Sequence, residues 1–256
     1  MILLLLLFTV VYADVSHQSN GTNIQVLGQS GKARITRGEQ VVTMRVDYLS
    51  EVDNFDNEVG NIGQDKHSVN SFATQSFTFS PLLDKEYQNV SVKEFTFETP
   101  IYNVGKMKLV TMLVGQSSSM GTETESWQVS PGDMKWNIEL SDWTFCNPCA
   151  DGTASFIDVG IEIKGTKNDT GVGPLLQLSK RVVIDGTEQN MPESYPKVIT
   201  IGTKQLFVFR FPKFTNSAIY DPVLQMSTAE VTSNSYAITP LLTLTCLIGI
   251  VMVVLL

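Results

Sequence analysis

Phe156-Ile-Asp-Val-Gly-Ile-Glu-Ile-Lys164 decides the fold. Ile157, Val159, Ile161 and Ile163 fall at every second position, with Asp158, Gly160, Glu162 and Lys164 between them. A period of two puts one set on each face of an extended chain, so the stretch reads as a half-buried strand with one apolar and one wet face. The alternation recurs on both sides of it. In Asp133 to Ser141, Met134, Trp136, Ile138 and Leu140 form the inward set, and Lys135, Asn137, Glu139 and Ser141 the outward set. In Gln40 to Tyr48, Val42, Met44, Val46 and Tyr48 alternate with Thr43, Arg45 and Asp47. Phe207, Phe209 and Phe211 alternate with Val208 and Arg210.

Two stretches break the rhythm. In Asn89 to Phe97, Val90 and Val92 lie in one phase and Phe95 and Phe97 in the other, which predicts a bulge at Lys93-Glu94. Met107 to Val114 is apolar in both phases and predicts a central strand covered on both sides. Between the ends, no window carries a 3.6-residue stripe, and the connecting segments are rich in Gly, Asn, Asp, Ser and Pro. The expectation is an all-β protein of roughly ten to fourteen antiparallel strands, a sandwich or a jelly-roll-like pair of sheets. One sandwich domain over 14–227 is expected. The polar stretch GQSSSMGTETES at 115–126 is where two sandwiches would divide.

The ends have a different character. Residues 1–13, MILLLLLFTVVYA, have an apolar core from Ile2 to Val11, too short to cross a bilayer. Val11 and Ala13 are small residues at −3 and −1 of a cleavage before Asp14, as in a signal peptide. Leu241 to Leu256 reads LLTLTCLIGIVMVVLL without a charge. Ser227, Thr228 and Ala229 are small, Glu230 to Pro240 form a polar spacer, and the apolar tail follows, which is the pattern of a glycolipid (GPI) attachment signal. Ser233, with Asn234 and Ser235, is an alternative attachment site with a shorter spacer. The competing reading of 228–256 is a retained single span, for which Ala237 to Leu256 is just long enough.

All 18 Lys and Arg lie in 14–227, as do 25 of the 26 acidic residues, Glu230 being the exception, so this segment carries a net charge of −7. An acidic surface repels phosphate backbones, and nucleic acid is not an expected partner. Cys246 lies in the tail, which leaves Cys146 and Cys149, in C-N-P-C, as an expected local disulfide. A thiol-redox reading of that motif requires a helix to follow it, and Gly152 and the strand pattern after Ser155 argue against one. Asn20-Gly-Thr, Asn89-Val-Ser and Asn168-Asp-Thr are N-glycosylation sequons.

Catalytic and metal constellations are sparse. Asp53 to Asp65, DNFDNEVGNIGQD, is dense in oxygen ligands, and Asp53, Asp56, Glu58 and Asp65 are candidates for calcium, without EF-hand spacing. No other cofactor is expected. Only His17 and His67 exist, too few for a multi-histidine metal site, and His17 falls in an N-terminal stretch expected to be unstructured. Glu94, Glu139 and Glu162 sit on expected outward faces, where carboxylates are normally solvated. Trp136 is in phase with the core, whereas Trp127 and Trp143 are candidates for a sugar-stacking surface. Arg34, Arg37 and Arg45 cluster in sequence, as on a solvated strand face or facing an anionic partner.

The expected function is that of a GPI-anchored extracellular glycoprotein at the cell surface. It would be non-enzymatic and act in adhesion, recognition or a coat through protein or carbohydrate contacts. The alternative is a surface-anchored, carboxylate-based hydrolase of glycosidase type on the same scaffold.

Overall fold

The computed structural model describes residues 15–62, 66–121, 124–165, 174–201 and 204–226. The apolar head, the tail with Ser227 and Ser233, Asp65 and Asn168 lie outside the described residues. In chain order the strands are β1 (Val15–Ser19), β2 (Thr22–Leu27), β3 (Lys32–Arg37), β4 (Gln40–Val52), β5 (Thr78–Phe79), β6 (Leu83–Tyr87), β7 (Val90–Ile101), β8 (Gly105–Val114), β9 (Ser118–Gly121), β10 (Ser126–Val129), β11 (Met134–Ser141), β12 (Phe156–Lys164), β13 (Leu175–Gln177), β14 (Arg181–Ile184), β15 (Thr187–Asn190), β16 (Lys197–Ile201), β17 (Lys204–Pro212), β18 (Ser217–Tyr220) and β19 (Val223–Gln225). There are more of them than the ten to fourteen expected, because short ladders form inside segments whose Gly and Ser content reads as turn. The only helical element among the described residues is one 3-10 turn, Phe72–Thr74.

The pairings are antiparallel. A first sheet runs β1-β2-β3-β4-β12-β17-β16. A second runs β15-β14-β18-β11-β8-β7-β5, with β6 on β7 and with β19 joining β11 to β13. The inward sets of both sheets meet in one core. Ile157, Val159, Phe209 and Phe211 of the first sheet share it with Leu109, Trp136, Ile138 and Tyr220 of the second. That is a β-sandwich, each sheet hiding its apolar face against the other. Trp136 is core, as expected, and meets Phe209 edge-on at 6.3 Å.

Three phase assignments change. The bulge lies in β4, not β7: Gly160 faces Tyr48 but Ile161 faces Val46, so Asp47 is the extra residue. It turns Tyr48 away from the Val42, Met44 and Val46 face and brings Leu49 and Glu51 inward. In β7, Lys93 and Glu94 keep continuous register with both β6 and β8. The apolar phase changes there because the covered face changes. Phe95 and Phe97 enter the main core, while Val90 and Val92 enter a second cluster with Val110, Met112, Val114, Met120, Val129 and Val223 on the opposite face. Strand β8 is accordingly apolar on both sides, as expected. The polar 115–126 stretch contributes to a hairpin, β9–β10, which carries Met120 and Val129 into the second cluster.

The third change concerns the outward sets. Lys135 and Asn137 in β11, Asp158 and Glu162 in β12, and Arg210 in β17 are all buried. Alternation identifies two faces; it does not say that one of them is wet.

Gly160 is the tightest point of the first sheet, since a Cβ there would lie 2.2 Å from Cε1 of Tyr48. Gly160→Ala is expected to lose about 1–3 kcal/mol of stability through overpacking, read as a lower denaturation midpoint in urea.

Candidate functional site

The acidic loop after β4 disperses its carboxylates rather than gathering them. Asp53 caps its own turn, accepting from the Phe55 and Asn57 amides at 2.7 and 2.9 Å and from Asn57 Nδ2 at 3.0 Å. The Asn57 side chain, together with those amides, holds its carboxyl below the usual value. Asp56 accepts from Arg210, and Glu58 from Asn61 Nδ2. Three candidate calcium ligands thus face three separate partners. Among the described residues no group of three or more His, Cys, Asp or Glu is placed to hold a metal ion.

A buried knot closes one end of the sandwich. The Glu51 carboxylate, 0% exposed, accepts from Trp143 Nε1 at 2.6 Å and from the Cys146 amide at 2.9 Å, and it faces His67 Nδ1 at 3.0 Å. The bulge in β4 makes this possible by turning position 51 inward. Trp143 is therefore a core residue rather than a sugar platform. His67 lies in the knot. The Cys146–Cys149 disulfide sits beside it, and the chain then passes through Asp151, whose carboxylate accepts from the Gly60 and Asn61 amides, into β12. A helix does not follow the motif. His17 is also ordered: it belongs to β1, and its ring lies 4.6 Å from that of Phe95.

On the outer face of the first sheet, Arg210 grips Asp158 with two bonds of 2.6 and 2.7 Å. The rings of Tyr195 and Phe156 lie 4.3 and 5.2 Å from its guanidinium, and Lys197 lies 4.3 Å from the far-reaching Tyr195 ring as well. Such planar, stacked and bidentate geometry suits arginine and not lysine. Although burial opposes its charge, the bonds to Asp158 and Asp56 hold Arg210 protonated. Arg37 donates to the Met226 carbonyl and faces Asp133, and Arg45 pairs with Glu162 and Asp47. Of the three clustered arginines only Arg34 is exposed. Glu162, expected outside, is buried beneath Arg45 and Lys164.

The outer face of the second sheet holds a cleft of about 750 Å³ between the β9–β10 and β14–β15 hairpins. Tyr87 and Asp221 form part of its floor, and Arg181, Thr187 and Glu188 part of one wall. Beneath the floor Lys135, 0% exposed, lies 2.5 Å from Asp221, and Tyr87 donates to the same carboxylate at 3.4 Å. Burial pushes the Lys135 ammonium down and the Asp221 carboxyl up, while their mutual attraction opposes both shifts. Arg181 pairs with Glu188 at 3.1 Å and with Asn190 at 2.6 Å. Each carboxylate of the cleft therefore has a cation held against it. Sequence reasoning missed this site; its only trace was the apolar break at Met120 inside a polar stretch.

Two sequons lie on turns. Asn89 is exposed between β6 and β7, and Asn20 is exposed between β1 and β2, with Nδ2 donating to the Val114 carbonyl at 3.1 Å. Trp127 is partly buried against the second apolar cluster.

Fold and sites together define an acidic, all-β protein of sandwich type with its buried ionic groups matched in pairs. The chain matches the acidic skeletal organic matrix protein family over residues 12–173 and 171–256, and it belongs to that family. The family's name is that of an extracellular matrix component. No solved structure matches the chain.

Two outcomes follow from the bonding. Glu51→Ala leaves three buried donors around an empty carboxylate position, and is expected to cost about 3 kcal/mol or more in chemical denaturation. Asp185 accepts from the Thr215, Asn216 and Ser217 amides, which hold its carboxyl below the usual 3.8. The unfolded chain then binds a proton that the folded chain does not, so stability falls as pH drops below about 4. Melting curves from neutral to acid pH should show that fall, with a shallower slope for Asp185→Asn.

Proposed function

We propose that this chain is a non-enzymatic extracellular glycoprotein that serves as a structural component of a skeletal organic matrix at the cell surface. Membership of the acidic skeletal organic matrix protein family carries the reading. The composition supports it: a net charge of −8 for the whole chain gives an acidic surface suited to an extracellular, hydrated setting. The pairing of Asp158 with Arg210, Asp221 with Lys135 and Glu188 with Arg181 also supports a structural role. Ionisable groups committed to one another hold a fold together, whereas a hydrolytic pair needs carboxylates open to substrate.

Within this reading the head at 1–13 is a signal peptide, and 228–256 directs a GPI anchor at Ser227 or Ser233. Asn20, Asn89 and Asn168 carry N-linked glycans. Tethering raises the effective concentration of weak contacts with matrix partners, so modest affinities suffice. The loops and the acidic surface make those contacts with extracellular protein or carbohydrate.

Treating intact expressing cells with a phospholipase specific for glycosylinositol lipids should release the protein into the medium. Retention on the cells, with survival of a tag at Leu256, would establish a membrane span in place of the anchor. Peptide N-glycosidase should increase its gel mobility, and Asn89→Gln should remove one step of that shift.

A further inference from the structure

We propose that the cleft on the outer face of the second sheet is a binding site for a neutral oligosaccharide. This deepens the matrix reading by naming a partner class and the place where it sits, and it rests on that reading only for the extracellular setting.

The size is right. About 750 Å³ lies within the roughly 300–1,000 Å³ of small-ligand sites. The walls are built in advance. Gln88 and Gly121 exchange two bonds, Nε2 to the carbonyl and amide to Oε1, which fixes β9 against the β6–β7 turn. Thr124 donates to Glu188 at 3.1 Å and so links the β9–β10 hairpin to β15 across the cleft. Asp185 in turn fastens the β14–β15 turn to the backbone of residues 215–217. A cleft with walls so tied needs little ordering when a ligand enters.

The lining has the chemistry of sugar recognition. Ser119, Ser126 and Thr187 present exposed hydroxyls that both donate and accept, as sugar hydroxyls do. Arg181 uses one N–H on Glu188 and one on Asn190, and a guanidinium carries five, so it retains donors for a ligand hydroxyl. The Tyr87 ring and Val183 supply limited apolar surface of the kind that meets the C–H face of a pyranose.

Charge selects a neutral ligand. The cations at the site, Arg181 and the buried Lys135, are each held against a carboxylate, Glu188 and Asp221. An anionic glycan would meet those carboxylates without an uncompensated positive charge to offset them. Asp221 and Lys135 also give the floor a polar character that disfavours a purely apolar ligand.

The test uses the full glycoprotein purified from expressing cells. Triacetylchitotriose, cellotriose and maltotriose are titrated calorimetrically, with a heparin-type sulfated disaccharide as the anionic probe. Thr187→Trp and Ser126→Trp place bulk at exposed rim positions, where folding is checked by an unchanged melting temperature. The expected result is that at least one neutral trisaccharide binds, and binds about tenfold more weakly to both variants. Failure of all three to bind, equal affinity for the wild type and both variants, or binding of the sulfated probe alone would each overturn the assignment. Release by phospholipase is scored separately, so loss of the anchor reading and loss of this site give different results.

Discussion

Burying a carboxylate costs several kcal/mol unless donors or a cation surround it, and this sandwich buries five, those of Glu51, Asp133, Asp158, Glu162 and Asp221. Glu51 closes one end of the main core, Asp158 lies on the outer face of the first sheet, and Asp221 on that of the second. These three are held differently: Glu51 by an indole, a histidine and a backbone amide, Asp158 by a bidentate arginine, and Asp221 by a buried lysine and a tyrosine. The strands can pack as they do only if those partners arrive together. Loops far apart in the chain are therefore pinned to the sheets by charge as well as by apolar contact.

That constraint explains how an acidic protein is covered on more than one face. A sandwich of two half-buried sheets needs only one apolar layer. Here a second apolar cluster forms beneath the β9–β10 hairpin, and Tyr195 with Asp56 covers part of the first sheet. The β9–β10 cover also makes the cleft, because a hairpin laid over a sheet leaves a gap where it meets the next hairpin, β14–β15. Membership of a matrix protein family fits a body of this kind, whose walls are tied on several sides and whose surface is acidic.

Much of the secondary structure was legible. The alternation in β11, β12 and β17 identified strands and their inward faces, and the two-phase apolar run of β8 signalled cover on both sides. The β7 phase slip was visible but misread, since a change of covered face and a bulge leave the same mark in a sequence. The real bulge at Asp47 was invisible because Tyr48 is itself apolar enough to continue the pattern. Lys135 and Asp158 read as solvated because lysine and aspartate usually are. Nothing within several residues of either one announces Asp221 or Arg210.

By itself the sequence determined an antiparallel, all-β protein with a local disulfide and an acidic balance, since a period of two, a three-residue cysteine spacing and a charge count are local or additive properties. Only the tertiary structure decided which second faces are covered, which charges are paired, and where a cleft opens. Those outcomes depend on contacts such as Glu51 with Trp143 and Tyr87 with Asp221, made between residues 92 and 134 positions apart. Pairing at that distance is set by how the sheets stack, and no local pattern encodes it.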